Sequence, residues 1–231
     1  MQEGGRIRYM PKAPRYKGVV FDFDGTIIDT MGSFCKTAAH VMNKHYGISL
    51  QEGRRLYIET SGIPFYFQLE ELFPGNIKNP LAAGEFEHNK MKGISSENFF
   101  PEVRTVINRL RTAGIVVAVS SNNFPENVNR LLNEGHIEVD VVLGYSPGFY
   151  KGDPHFSAIK KMWNLEKRDI LYVGDSLKDA HWARERGVEF IARIGTIPEE
   201  RFRKDFPEFK LVHNLQPLPT IILGGSEHHQ L

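Results

Sequence analysis

The feature that most constrains this chain is a series of short apolar runs, each separated from the next by a stretch of helical pattern. Gly18-Val19-Val20-Phe21 and Ile115-Val116-Val117-Ala118-Val119 are continuous runs. Val139 to Leu143, Ile170 to Val173 and Phe190 to Arg193 are similar in length and character. Runs without polar alternation suit strands buried on both faces of a parallel sheet. From Glu102 to Thr112, Val103, Val106, Ile107 and Leu110 share one helical face, and Gly114 follows as a stop. Further helices are expected over Pro125 to Asn133, His155 to Trp163 and Leu177 to Arg186. Strands alternating with helices predict an α/β fold, a doubly wound parallel sheet with helices on both faces.

One segment breaks the alternation. After the first strand the chain stays helical in pattern from about 31 to 98. Met31 to Tyr46 is stopped by Gly47, Ser61-Gly62-Ile63-Pro64 interrupts the next stretch, Pro74-Gly75-Asn76 is a turn, and Leu81 to Lys92 ends at Gly93. Residues 31–98 are therefore read as a helical cap inserted into a core of residues 17–30 and 99–217. A chain of 231 residues accommodates one domain carrying a smaller inserted one. Residues 1–16 are polar and lack an apolar signal core, which predicts a loose arm. Residues 218–231 are read as a tail in which His228-His229 is solvated.

Composition narrows the function classes. With 29 basic and 28 acidic residues, the net charge of +1 sets up no global field for nucleic acid or an anionic membrane. No apolar stretch approaches a membrane span. The single cysteine, Cys35, cannot form an internal disulfide and reads as a small apolar residue on a helix face, and a cytoplasmic location is expected.

Ligands of open α/β sheets gather at the carboxyl ends of the strands. The first strand ends in Asp22-Phe23-Asp24-Gly25-Thr26 and the second in Ser120-Ser121-Asn122-Asn123. The loop after the third carries Lys151-Gly152-Asp153-Pro154, and the fourth strand ends in Gly174-Asp175-Ser176-Leu177-Lys178-Asp179. Clustered carboxylates repel one another unless a cation lies between them, and oxygen ligands without histidine or cysteine favour Mg²⁺. A carboxylate can act as a covalent nucleophile and form an acyl phosphate. A second one two residues on can give and take a proton. A lysine, hydroxyls and backbone N–H groups can bind phosphate oxygens.

In order and spacing these four segments resemble the four motifs of the haloacid dehalogenase superfamily, over about Lys17 to Leu215. The resemblance implies a Rossmann-like core. It implies that Asp22 is the nucleophile and a Mg²⁺ ligand, and that Asp24 is the general acid/base and offers its backbone carbonyl to the metal. The motif-two hydroxyl is Ser121, followed by Asn122, with Ser120 as the alternative; Ser121, Asn122 and Lys151 are the expected phosphate-binding residues. Lys151 matches motif three, where Gly152 replaces the usual proline. Asp175 is an expected metal ligand, and Asp179 supports the metal shell or Lys151; alternatively Asp179 pairs with Lys178 or Arg184 on a helix surface.

The inserted cap makes the chain similar to phosphoglycolate-phosphatase-like and β-phosphoglucomutase-like members. In those relatives a loop like Gly62-Ile63-Pro64-Phe65 faces the active site. The expected function is Mg²⁺-dependent hydrolysis of a small phosphorylated metabolite through a phospho-aspartyl intermediate, by a monomer or homodimer, with no nucleic acid or membrane partner. The alternatives are a sugar phosphomutase on the same scaffold or a non-catalytic binding protein. A dehalogenase needs neither an acid at Asp24 nor a metal, so no action on haloacids is expected. His155 reads as a capping or packing residue, His40, His45 and His88 as solvated, and Phe65-Tyr66-Phe67 as packing between cap and core.

Overall fold

The computed structural model describes residues 14–95 and 98–224. The arm before residue 14 and the tail from residue 225, His228-His229 included, lie outside the described residues. Six strands form one parallel sheet: β1 (Gly18–Asp22), β2 (Val116–Ser120), β3 (Val141–Leu143), β4 (Ile170–Gly174), β5 (Glu189–Arg193) and β6 (Lys210–Val212), in the order β3-β2-β1-β4-β5-β6. The chain moves outward from β1 through β2 to β3, then returns to β4 on the other side. The strand order therefore reverses beside β1, where a crevice opens at the carboxyl ends.

The apolar runs fill two cores by simple alternation along each strand. Val19 and Phe21 of β1 join Val117, Val119, Leu171 and Val173 on one face. Val20 joins Ala118, Tyr172, Phe190 and Ala192 on the other. Helices α5 (Val103–Thr112), α6 (Pro125–Glu134) and α10 (Leu218–Leu223) cover the first face. Helices α7 (Asp153–Trp163), α8 (Leu177–Arg186) and α9 (Glu199–Asp205) cover the second.

Between β1 and α5 the chain forms α1 (Met31–Tyr46), α2 (Leu50–Thr60), α3 (Phe65–Leu72) and α4 (Asn79–Lys90). Gly47 ends α1 in the left-handed conformation, and its N–H bonds the carbonyl of Asn43. Phe34, Tyr57, Phe65 and Phe86 pack together and continue the core of the first sheet face.

The ends differ from expectation. The segment read as a tail begins with α10, whose Leu218 and Ile222 are fully buried. Tyr16, assigned to the arm, is buried too, and Arg15 N–H bonds the carbonyl of Ile222. A backbone hydrogen bond thus joins the segment before β1 to α10, which apolar periodicity over so few residues does not reveal. Helix α9 and strand β6 extend the sheet beyond the expected strands, because Lys210-Leu211-Val212 is too short to stand out as a run. Among the described residues no helix is long and apolar enough to cross a membrane.

Candidate active site

Strand register brings the expected residues together. Asp22 at the end of β1 lies opposite Ser120 at the end of β2, and Phe21 lies opposite Val173 of β4. The loops that follow these strands thus converge on one crevice. Asp22, Asp24, Asn122, Asn123, Lys151 and Asp175 line its core side.

Lys151 holds the centre. Its ammonium lies 2.9 Å from Oδ1 of Asp22 and 2.9 Å from Oδ1 of Asp179, with all three side chains buried. Burial disfavours the charged ammonium, but Asp179 and Asp22 outweigh it and hold Lys151 above the ordinary lysine range. Gly152, in the position where proline was expected, has φ of 118°, a backbone state that proline cannot adopt. The loop is therefore set by glycine, and Lys151 N–H donates to Oδ1 of Asn122 at 3.2 Å.

Burial pushes the Asp22 carboxyl well above the usual range. The Lys151 charge opposes this, while Asp179, Asp175 and Asp24 add to it. Burial and the neighbouring charge of Asp179 push Asp175 up to about 6, against hydrogen bonds from Thr196 and with Asp22. Two carboxyl groups that hydrogen-bond each other share a proton unless a cation replaces it. Gly25 explains the close approach: its φ is 77°, and a Cβ there would fall 1.9 Å from Oδ2 of Asp175.

Asp24 is held differently. Oδ1 accepts from the Thr30 hydroxyl at 2.8 Å, and Oδ2 from Asn123 Nδ2 at 2.7 Å. Burial raises its pKa; the Lys90 charge is the largest opposing influence, followed by the Thr30 hydrogen bond, Lys151 and Asn123.

Asp22, Asp175 and Asp179 each bring a carboxylate oxygen within 4.8 Å of the other two. This oxygen-only, buried donor set fits a hard divalent cation. Asp179 already accepts on Oδ1 from the Tyr172 hydroxyl and Lys151, and on Oδ2 from the Ser176 hydroxyl, while also closing a capping box at the start of α8. Its neighbours on the helix surface pair elsewhere, Lys178 with Glu71 and Arg184 with Glu208. Asp22 and Asp175 retain more capacity for a cation than Asp179 does.

The serines stand one layer back. Ser120 Oγ lies 2.9 Å from Nδ1 of His155, and Nε2 of His155 lies 3.2 Å from the carbonyl of Gly144. The carbonyl can only accept, so Nε2 carries the proton and Nδ1 accepts from Ser120. Burial pushes His155 down to about 4, so it is a neutral packing residue. Ser121 Oγ accepts from Asn123 N–H at 3.0 Å and shapes the turn that presents Asn122 and Asn123. Neither serine is among the residues on the crevice wall beside Asp22 and Asp24. Asn122 bridges two segments: it accepts from Lys151 N–H and donates from Nδ2 to the carbonyl of Gly62 at 3.0 Å.

The loop Gly62-Ile63-Pro64-Phe65 lines the crevice from the cap side. Phe65 is buried, whereas Tyr66 and Phe67 are partly exposed and Phe67 meets Tyr150 of the core. His40 and His88 are exposed, but His45 is largely buried and lies 2.9 Å from Glu85, because α4 packs against α1 there. Cys35 is half-buried and free. Sequence reasoning missed Asn123 and Lys90. Lys90 shares a helical face with Ala82, Ala83 and Phe86, which is the signal that would have found it.

A doubly wound α/β fold with acids, a lysine and amides on loops after its central strands defines an enzyme architecture. The chain belongs to the haloacid dehalogenase-like hydrolases: that family model matches residues 19–193. The chain is 29% identical, over 92% of its length and 98% of the relative's, to a protein of Caldanaerobacter subterraneus subsp. tengcongensis provisionally named pyrophosphatase PpaX. It is 24% identical to the phosphoglycolate phosphatase of Yersinia pestis, over 96% of this chain and 100% of that one. Among solved structures, CbbY from Rhodobacter sphaeroides in complex with phosphate superposes with a TM-score of 0.67 at 15% identity, over 88% of this chain and 96% of that one, a likeness of fold.

Proposed function

We propose that this protein is a Mg²⁺-dependent phosphatase that hydrolyses a small-molecule phosphomonoester through a phospho-aspartyl intermediate on Asp22. The carrying observation is the placement of Asp22 between Lys151 and Asp175, in one crevice with an Asp24 carboxyl fixed by Thr30 and Asn123. The names of the relatives, a pyrophosphatase and a phosphoglycolate phosphatase, support phosphate release as the outcome.

A carboxylate oxygen of Asp22 forms a bond to phosphorus while the bond from phosphorus to the leaving oxygen breaks. Asp24, whose proton burial retains to higher pH, gives that proton to the leaving oxygen. A water then attacks the phosphorus of the acyl phosphate, Asp24 takes its proton, and inorganic phosphate leaves with Asp22 restored. Lys151 and Asn122 hold the phosphoryl oxygens, and Ser121 acts through the turn it shapes. Asp22, Asp175 and the backbone carbonyl of Asp24 would hold Mg²⁺, which supplies positive charge against the repulsion between Asp22 and a phosphate dianion.

The test is phosphate release from p-nitrophenyl phosphate with and without Mg²⁺, by the native chain and Asp22→Asn. Mg²⁺-dependent turnover that the substitution abolishes in a folded protein is expected, and turnover retained in Asp22→Asn would sink the mechanism. Conversion of a hexose 1-phosphate to the 6-phosphate without phosphate release would favour the mutase reading.

A further inference from the structure

The cap wall of the crevice is mostly aromatic and aliphatic, with Met31, Phe34, Tyr57, Ile63, Phe65 and Phe86 upon it. Two charged residues interrupt it, Lys90 and Glu87. Lys90 is the last residue of α4, and its side chain is only 5% exposed. Its ammonium sits 5.9 Å from the ring centre of Phe34 and 5.6 Å from that of Phe86. Among the described residues its single oxygen partner is a carboxylate oxygen of Glu87 at 2.6 Å.

An ammonium has three donors, and a buried one requires anionic or polar partners. Ring faces attract it but do not replace an oxygen acceptor. Glu87 is differently placed: its side chain is 29% exposed, three residues earlier on the same helix. Rotation about its own side-chain bonds carries its carboxylate into water without moving α4, whereas Lys90 has no such exit. A ligand oxygen entering from the crevice can therefore take the position that Glu87 now holds.

We infer that Lys90 and Glu87 form an exchangeable subsite that selects a leaving group bearing a carboxylate, with Glu87 occupying the carboxylate's place on the Lys90 ammonium until substrate enters. The inference rests on the phosphatase reading for which end of the ligand faces Asp22. The charge balance favours one negative charge over two. Lys90 is the sole cation on the cap wall among the described residues, and Lys151 is committed to Asp22 and Asp179. A second phosphate dianion would leave uncompensated charge against aromatic rings.

The experiment is equilibrium binding by calorimetry, in Mg²⁺, of 3-phosphonopropionate and its carboxamide, two probes without a hydrolysable P–O–C bond. The native chain is expected to bind the carboxylate at least about tenfold more tightly than the amide, as a charge-assisted hydrogen bond provides. In Lys90→Met that ratio falls to about one, Lys90→Arg retains most of it, and Glu87→Gln, which lacks the competing carboxylate, binds the acid probe more tightly than the native chain does. Equal affinity for both probes in the native chain would overturn the subsite. So would a Lys90→Met variant that weakens both probes by the same factor. Should Lys90→Met fail to fold, the Arg and Gln variants decide the matter. A Lys90-dependent preference in a chain without phosphatase activity leaves the subsite standing and removes the phosphatase reading alone.

Discussion

Asn123 Nδ2 lies 2.7 Å from Oδ2 of Asp24, a hydrogen bond that joins the loop after β2 to the loop after β1. With Thr30 on the other oxygen, it leaves the Asp24 carboxyl one orientation. A general acid must be aimed as well as protonated, and its loss costs most when the leaving oxygen is a poor one. Asn123→Ala is therefore expected to lower kcat on an alkyl phosphate by roughly 10- to 100-fold. On p-nitrophenyl phosphate, whose leaving group needs little protonation, the loss is expected to be several-fold smaller. Steady-state kinetics on the two substrates check this, and an equal loss on both would count against an aiming role for Asn123.

The acids and His155 make opposite contributions to stability across one pH window. Asp175 is raised from 3.8 to about 6, so the folded state binds its proton more tightly than the unfolded chain does. That contribution is present below about pH 4 and is lost as pH rises through about 6. Asp22, raised by burial, acts in the same direction. His155 is lowered from 6.5 to about 4, so its contribution is present above about pH 6.5 and is lost as pH falls through about 4. The two trends oppose each other in the metal-free protein. Mg²⁺ competes with protons at the acids and leaves His155 untouched. The stabilisation on adding Mg²⁺, read as a rise in Tm, is therefore expected to be small near pH 4 and to grow until above about pH 6, where it is worth roughly 3 kcal/mol of unfolding free energy near 100 times Kd. Thermal melting in Mg²⁺ and in EDTA at a series of pH values measures it, and an increment independent of pH would contradict the assignment.

The sequence carried the core because burial on both faces leaves an unbroken apolar signature, as at Val117 to Val119. It also carried the acids and Lys151, because strand ends in such a sheet meet at one edge whatever the loops do. The serines were harder. Asp22 and Ser120 are in register, but the destination of each hydroxyl depends on His155 and the Asn123 amide, which lie far off or in a turn. Lys90 falls within the helix expected from Leu81 to Lys92 with no role attached; it shares a face with Ala82, Ala83 and Phe86, and the packing of α4 against Phe34 turns that face inward. Helix α10 was hidden because its burial comes from residues on α5 and at the start of the chain.

Asp175 lies just before the N-cap of α8 and Asp179 in its first turn, yet removing their charges is expected to have opposite effects on the metal-free protein. Asp175 is an acid that its surroundings disfavour, buried and crowded by the charge of Asp179, with Thr196 as a neutral donor. Asp175→Asn keeps an acceptor for Thr196 and removes a buried negative charge, so in EDTA at about pH 8 it should be neutral or stabilising by roughly 1–3 kcal/mol. Asp179 is fully used: it pairs with Lys151, accepts from Tyr172 and Ser176, and caps α8. An amide there cannot accept on both sides and leaves Lys151 with Asp22 alone, so Asp179→Asn should destabilise by roughly 2–4 kcal/mol. Chemical denaturation of both variants separates the two. Asp175→Asn should also lose the Mg²⁺-induced rise in Tm, and retention of the full rise would remove Asp175 from the metal site.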